Sequence, residues 1–535
     1  MSDNAQNTTL KDFARTWAEH DPDPQTKQQV LDWLEEGNQE ELAKAFNGPL
    51  EFGTAGLRAE VGPGQSRMNR ATVIRTTFGL IEWLKTQTTN PVVVIGCDAR
   101  HGSAQFQEDA AGVISAAGGK ALVLPKENPT PLTAFTVKSH NADAGIMVTA
   151  SHNPPADNGY KVYLGGRVAT GDAEGVQLIS PADKEIAAMI DAAPYADEIT
   201  RDSQNIEHVD TRADYIDRAV KLVGPKTDIT VALTAMHGVG AAIGEEVLNR
   251  AGFNVSLVPE QAQPDPDFPT VAFPNPEEPG ALDLGKAHAD KIGADILIAY
   301  DPDADRCAAA VPAVQVTEGA TTKQWRQLSG DETGALLGDY LARRGVKGTF
   351  ANSLVSSRLL GRVAAHHGLE HEETLTGFKW IARTKDLAFG YEEAIGFCPD
   401  PEAVRDKDGI STSVVLASLA AECKAEGTSL LERLDSIYAQ VGHLHTAPLT
   451  FRVDDLSIIA KGMEKVTNQP PTQLAGSPIA KVEKFAQGSK FFTENDDRVI
   501  VRPSGTEPKL KCYLESPDPA RLDAIAADLR EYFGI

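Results

Sequence analysis

The sequence predicts an α/β protein: three consecutive mixed α/β domains followed by a smaller C-terminal α+β domain. Three observations predict it. The chain has 535 residues, and at about 150 residues per domain that length holds three to four domains. Short apolar runs alternate with longer amphipathic stretches in three successive rounds, the pattern of a largely parallel sheet covered on both faces by helices. Near residue 440 the pattern changes to the apolar–polar alternation of half-buried antiparallel strands.

The elements follow in order. Residues 1–50 read as a helical arm, with Asp21-Pro-Asp-Pro as a start signal and Val30, Leu31, Leu34, Leu42, Ala45 and Phe46 at helical spacing. In the first domain, 51–205, the run Val92-Val-Val-Ile is a strand and 103–117 a helix. Ala121-Leu-Val-Leu is a second strand, 130–139 a helix, and Ala144-Gly-Ile-Met-Val a third strand. The second domain, 206–317, repeats this texture with strands at 229–233, 254–257 and 295–299 and helices near 239–251 and 280–291. Its stretch 258–279, rich in Pro, Asp and Glu, reads as a long loop. The third domain, 318–440, has helices at 331–344, 356–367 and 410–425, a strand at Gly348-Thr-Phe-Ala and an apolar segment near Leu387. In the fourth, 441–535, Arg498-Val-Ile-Val-Arg and Lys509-Leu-Lys-Cys-Tyr-Leu-Glu alternate as strands. Asp518-Pro then opens a helix with Leu522, Ile525, Ala526, Leu529 and Phe533 on one face.

Charge and composition exclude several function classes. Lys and Arg number 51 against 76 Asp and Glu, a net charge of −25, and so acidic a surface repels the phosphate backbone of nucleic acids. The N-terminus has no basic and apolar signal pattern, and no apolar run approaches the ~20 residues that cross a bilayer. The five cysteines are scattered, with no C-x-x-C pair, which excludes a disulfide framework and suits a reducing cytosol. The expectation is a cytoplasmic enzyme with neither nucleic acid nor membrane as partner.

Parallel sheets bind ligands beyond the carboxyl ends of their strands, so the polar loops there carry the chemistry. Thr149-Ala-Ser151-His152-Asn153-Pro follows the third strand. Its Ser151, ringed by His152, Asn153, Asn158 and Lys161, is either a capping residue of a turn or a nucleophile. Asp301-Pro-Asp303-Ala-Asp305-Arg306 follows a buried strand. Its three alternate carboxylates can converge on one hard cation, Mg²⁺ holding a phosphate oxygen, or else form a solvated acidic turn. The spacing fails as an EF-hand, because Arg306 and Pro312 occupy the places of the required Gly and Glu. Tyr391-Glu392-Glu393-Ala394-Ile-Gly offers carboxylates to sugar hydroxyls. Arg502-Pro-Ser504-Gly505-Thr506-Glu-Pro-Lys509 offers a guanidinium fork, hydroxyls and backbone N–H groups to a phosphate. Phe52-Gly-Thr-Ala-Gly-Leu-Arg58 and Thr376-Gly377-Phe-Lys379 are two further cationic turns. No Walker A and no strand-borne G-x-G-x-x-G motif is present, so nucleotide cofactors have no support.

Four such loops, in this order and one per domain, resemble the α-D-phosphohexomutases, the phosphoglucomutase and phosphomannomutase family. The arm and the phrases Gly377-Phe-Lys-Trp and Glu392-Glu-Ala-Ile-Gly are similar to its phosphopentomutase-like branch. The resemblance implies four domains around one deep cleft and interconversion of sugar 1-phosphate and sugar 6-phosphate, of glucose or mannose, through a sugar 1,6-bisphosphate that also acts as activator. It implies a phosphoserine at Ser151, with Lys161 and Arg58 near the transferred phosphoryl group, and Mg²⁺ on the Ser151 phosphate, Asp301, Asp303 and Asp305. Substrate contacts are implied at His152, Arg306, Gly377, Lys379, Glu392 and Ala394, and a phosphate clamp at Arg502, Ser504, Gly505 and Thr506. The sequence departs from the family pattern at Tyr391, where the family has Gly, and at Ala394, where it has Ser. The second departure removes a hydroxyl from the sugar loop, so ribose and deoxyribose phosphates join glucose and mannose phosphates as candidates. Two rival readings are a haloacid-dehalogenase-type phosphotransferase, with Asp301 as nucleophile, and a non-enzymatic binding protein of the same fold. The first wants Thr or Val at position 305, and the second a lost serine or lost aspartates.

Overall fold

A computed structural model of the chain describes residues 2–53, 55–317, 320–453, 456–504 and 509–534. Among these residues four sheets form, of seven, five, four and six strands. Each has helices packed against it.

The arm is three helices, Ser2–Glu19, Pro24–Glu36 and Gln39–Ala45. The start signal works as expected: Pro24 takes the first helical position, and the Asp23 side chain accepts a hydrogen bond from the Gln25 N–H. Trp33, Val30, Leu42 and Phe46 bury a small core of their own. The arm joins the first domain where Ser66 donates to the Ala45 carbonyl at 3.0 Å and Arg67 pairs with Glu41 at 3.3 Å.

The first sheet runs in the order Leu57–Glu60, Asp157–Leu164, Ala144–Val148, Val92–Cys97, Lys120–Val123, Ile206–His208. Val92–Cys97 lies between two parallel neighbours, and five of its six residues are buried. That burial on both faces is why it reads as one apolar run. Asp157–Leu164 pairs antiparallel with Ala144–Val148. The two strands and the turn between them form a hairpin with Ser151 at its bend and Lys161 on its return limb.

The second sheet places the strand Ile296–Tyr300 beside Thr230–Thr234 in parallel and beside Cys307–Thr317 antiparallel. The aspartate loop is thus another bend at a strand end. Cys307–Thr317 and Ala320–Gln327 pair as a hairpin, so the second sheet continues past the join expected near 317. Ile206–His208 likewise pairs with Lys120–Val123 and carries the first sheet just past 205.

In the third domain, Leu387–Glu392 pairs with Thr349–Ser353 in parallel and with Gly396–Cys398 antiparallel. This makes the sugar loop a third bend at a strand end. The helix Gly330–Arg343 opens with a capping box between Ser329 and Glu332. The helix Gly409–Ala425 is capped by Asp408 and buried on all sides, which explains why its sequence carries no apolar stripe. The fourth domain is an antiparallel sheet in the order His445–Arg452, Lys509–Ser516, Arg498–Pro503, Gly488–Thr493, Ser477–Phe485, Gln473–Leu474, packed on helices Leu456–Asn468 and Ala520–Phe533.

A buried ion cluster docks the fourth domain on the third. Glu515, 1% exposed, accepts from Arg358 Nε at 2.6 Å, Ser357 Oγ at 2.7 Å and the Arg358 N–H at 2.8 Å. It also lies 3.1 Å from Arg498 Nε. Burial alone would raise the Glu515 carboxyl, but Arg498 and Arg358 outweigh it and hold the group below its ordinary value. Glu515→Ala leaves two arginines without their buried partner and is expected to cost about 3–5 kcal/mol at pH 7 in urea unfolding. Because the folded value is depressed, this contribution is complete above the ordinary glutamate pKa of about 4.3 and declines as pH falls below it. The deficit of the variant should therefore shrink in acid.

Candidate active site

Three of the polar loops meet. Ser151, 1% exposed, donates from Oγ to Asp301 Oδ2 at 2.6 Å. Its backbone is in the left-handed region at φ +51°, a costly conformation for a non-glycine residue. Two features hold it there. The Ser151 N–H donates to Thr149 Oγ1 at 2.8 Å. Buried Arg100 donates to the carbonyls of Ser151, Asn153, Pro154 and Asp157 at 2.6–2.9 Å. One guanidinium thus gathers the whole bend. His152 Nδ1 lies 3.3 Å from Ser151 Oγ, and burial together with Arg306 and Arg58 holds its imidazole neutral.

Asp301, Asp303 and Asp305 are fully or almost fully buried, and each offers an oxygen within 4.8 Å of the others. The Ala304 backbone, at φ +56°, makes the turn that lets alternate carboxylates converge. Lys161 Nζ reaches Asp303 at 2.7 Å and Asp305 at 2.9 Å, Thr130 donates to Asp303 at 2.5 Å, and the Arg306 N–H donates to Asp301 Oδ1 at 3.0 Å. Burial and the two neighbouring carboxylates drive the Asp301 carboxyl well up. Burial pushes the same way on Asp303 and Asp305, but Lys161 at both and Lys407 at Asp305 keep them low. Asp303 Oδ1 and Asp305 Oδ1 are buried and accept no hydrogen bond among the described residues. Hard carboxylate oxygens, two of them orphaned, in so small a space fit an oxygen-ligated metal ion.

The sugar loop adjoins the aspartate loop through backbone. Cys307 N–H donates to the Ile395 carbonyl at 3.0 Å, and Arg306 NH1 donates to the Ala394 carbonyl at 3.2 Å. Ile395 is the third left-handed non-glycine residue of the site, at φ +54°. Burial raises the Glu392 carboxyl while Lys407 and Arg306 oppose the shift. Glu393 is pinned by Ser353 at 3.0 Å and Ser356 at 2.9 Å. The two departures from the family pattern separate here. Tyr391 turns into the core, where its hydroxyl donates to Asp331 at 2.8 Å and its ring fills the space over Gly334. Ala394 stands in the loop itself and offers no hydroxyl.

The remaining expected residues are placed as follows. Arg58 donates to Asn153 at 3.5 Å, and its Nε is buried without a partner among the described residues. Gly377, at φ +104°, opens the short helix Phe378–Ile381. Lys379, lowered by burial, has Asp183 and Arg383 as its charged neighbours rather than the aspartate cluster. Arg502 lies near the end of the strand Arg498–Pro503, and Ser504 N–H donates to the Lys509 carbonyl at 2.8 Å. Burial raises the Tyr513 phenol; Glu393 adds to the shift and Arg502 opposes it, so the clamp strand faces the sugar loop. Gly505 and Thr506, with Thr54 of the glycine turn, lie outside the described residues.

Two residues escaped the sequence reading. Arg100 follows the strand Val92–Cys97 in Asp98-Ala-Arg100-His. Lys407 lies in Arg405-Asp-Lys407-Asp-Gly, with Nζ 3.3 Å from Asp305. Arg100 lies just beyond an apolar strand, while Lys407 directly precedes the N-cap of the helix Gly409–Ala425, well past the strand Gly396–Cys398, and carried no such mark.

Protein-family models for the phosphoglucomutase/phosphomannomutase α/β/α domains I, II and III match residues 49–196, 213–314 and 329–441, and the model for the C-terminal domain matches 451–532. A "probable phosphomannomutase" of Haemophilus influenzae is 43% identical over 87% of this chain and 96% of its own. A phosphopentomutase of Homo sapiens is 36% identical over 97% of this chain and 94% of its own. A solved phosphoglucomutase/phosphomannomutase family protein of Burkholderia thailandensis shares the fold, with a TM-score of 0.70 at 19% identity over 90% of this chain and 96% of that one. The chain therefore belongs to the phosphoglucomutase/phosphomannomutase family of sugar-phosphate mutases.

Proposed function

We propose that this mutase interconverts the 1- and 6-phosphates of glucose or mannose and that Ser151 carries the phosphoryl group in transit. The observation that carries this is Ser151 Oγ, 2.6 Å from Asp301, in a buried cluster of carboxylates with Lys161 and Lys407 beside them. Such a serine cannot be an ordinary surface turn. In the proposed half-reaction, the sugar hydroxyl oxygen forms a bond to the phosphorus of phospho-Ser151 as the bond from phosphorus to Oγ breaks. The hydroxyl proton is lost from the sugar and one is gained by Ser151, leaving a sugar bisphosphate and free serine. The bisphosphate turns over in the cleft, and the reverse step returns its other phosphoryl group to Ser151. The proton of the free serine is held in the hydrogen bond from Oγ to Asp301 Oδ2, with His152 Nδ1 3.3 Å from Oγ. Lys161 and Arg58 bear positive charge toward the transferred group, the main requirement of phosphoryl transfer.

Asp301, Asp303 and Asp305, with the Ser151 phosphate, would hold Mg²⁺, which when bound withdraws negative charge from the phosphoryl oxygens. Glu392 and the clamp around Arg502 bind opposite ends of the sugar phosphate, and the clamp must accept either phosphate. The pentose reading, ribose or deoxyribose 1- to 5-phosphate, rests on the human relative, whose match includes the N-terminal arm. The cell compartment proposed is the cytoplasm.

The deciding experiment is a mutase assay with Mg²⁺ and a trace of glucose 1,6-bisphosphate. It compares glucose, mannose, ribose and deoxyribose 1-phosphates. Wild type should be active and Ser151→Ala inactive, with the phosphate mass adduct absent from the variant. Activity retained in Ser151→Ala rejects the phosphoserine role, and a folded wild type inactive on all four sugars favours the binding-protein reading. Asp303→Asn should lower turnover by about 100-fold or more and raise the Mg²⁺ concentration needed for half-maximal rate. Normal activity at low Mg²⁺ would discard the metal assignment.

A further inference from the structure

The acidic, proline-rich loop at 258–279 has no role in the site as described, yet several of its side chains face that site. The Phe268 ring lies 5.1 Å from the guanidinium of Arg100, and Phe273 sits edge-on to His152 at 6.4 Å. Farther along, Glu277 Oε2 lies 3.7 Å from Arg306 NH1, too long for a direct hydrogen bond. The same nitrogen donates to the Ala394 carbonyl, so Glu277 stands beside the sugar loop on a guanidinium that both share. Glu277 and Glu393 border a cavity of about 380 Å³ whose far wall includes Tyr513 of the fourth domain. The two carboxylates differ in one respect. Glu393 is occupied by two serine hydroxyls. Glu277 accepts no hydrogen bond among the described residues, and 38% of its side chain is open.

A carboxylate kept near the sugar loop by a cation, with its acceptor capacity unused, suits a sugar hydroxyl donor. Position 394, which offers no hydroxyl here, has its carbonyl on the same guanidinium nitrogen that Glu277 approaches. We propose that Glu277 is a specificity-determining residue, accepting a hydroxyl of the bound phosphosugar and so ranking the sugars the mutase uses. The proposal rests on the mutase reading above. It names a substrate contact supplied by the second domain from a loop outside the four motif loops.

The test compares wild type, Glu277→Gln and Glu277→Ala on glucose 1-phosphate, its 2-, 3- and 4-deoxy analogues, mannose 1-phosphate and ribose 1-phosphate. Phosphorylation of Ser151 by glucose 1,6-bisphosphate, read by intact mass, monitors the integrity of the phosphoserine loop. Wild type should lose about 10-fold or more in kcat/KM when the contacted hydroxyl is missing from its best sugar. Glu277→Ala should lose a similar factor on that sugar but little on the analogue lacking that hydroxyl. Glu277→Gln, whose amide oxygen still accepts, should fall between. Equal losses on every sugar, or no loss on any, would overturn the assignment while leaving the mutase reading intact. A wild type inactive on all of them would overturn the mutase reading and this inference with it.

Discussion

Three mutually repelling carboxylates are buried within one small space at Asp301, Asp303 and Asp305, and the arrangement of the domains follows from what offsets them. A buried charge is tolerated only with partners in place. Those partners come from three parts of the chain: Lys161 from the first domain, Arg306 from the second and Lys407 from the third. Asp305 alone touches cations from all three. The cluster is therefore a junction where the first three domains must meet in a fixed relation.

Backbone geometry around the junction follows the same constraint. Ser151, Ala304 and Ile395 each take a left-handed conformation that an L side chain ordinarily avoids. They occupy the three loops that meet, and each sharp reversal turns a side chain or carbonyl inward at the end of a buried strand. Close approach also needs glycine where a side chain would not fit. A Cβ on Gly409 would lie 2.3 Å from the Arg306 carbonyl, and one on Gly396 would lie 2.2 Å from Lys407 Cδ. Rigid strands bring the loops near, strained turns aim them, and Arg100 secures the serine turn with four carbonyl contacts. Strain of this kind persists only when the surroundings over-determine it.

What the sequence disclosed follows from the range of the interactions involved. Strands such as Val92–Cys97 and helices such as Thr130–Ser139 were legible because burial on both faces, or a proline in the first helical turn, leaves its mark within a few residues. The serine, aspartate and glutamate loops were legible because each is one contiguous polar bend after an apolar run. Arg100 and Lys407 were not, because their partners lie some 50 and 100 residues away in the chain, and nothing local separates a cation that binds a loop from one that faces water. Tyr391, a departure from the family pattern, likewise had no local mark of its role: its hydroxyl is spent on Asp331 in the core, 60 residues away in the chain. The hairpin of Cys307–Thr317 and Ala320–Gln327 escaped for a different reason: its small and polar residues carry little of the apolar signal that marks a strand.

The docking of the fourth domain extends the same logic to the clamp. Arg498, paired with Glu515, also donates to the Ser356 carbonyl at 2.6 Å. The Ser356 hydroxyl in turn pins Glu393 and accepts from its backbone N–H. Arg498 opens the strand Arg498–Pro503, which carries Arg502 near its far end. One chain of contacts thus runs from the clamp strand, through a buried ion pair, to the sugar loop. A shift of the fourth domain that lengthens the contact of Arg498 with Ser356 loosens the residue that holds Glu393. The position of the clamp and the shape of the sugar loop are accordingly set together. This network of buried charges and hydroxyls fixes the fourth domain against the third where a sliding apolar interface would not.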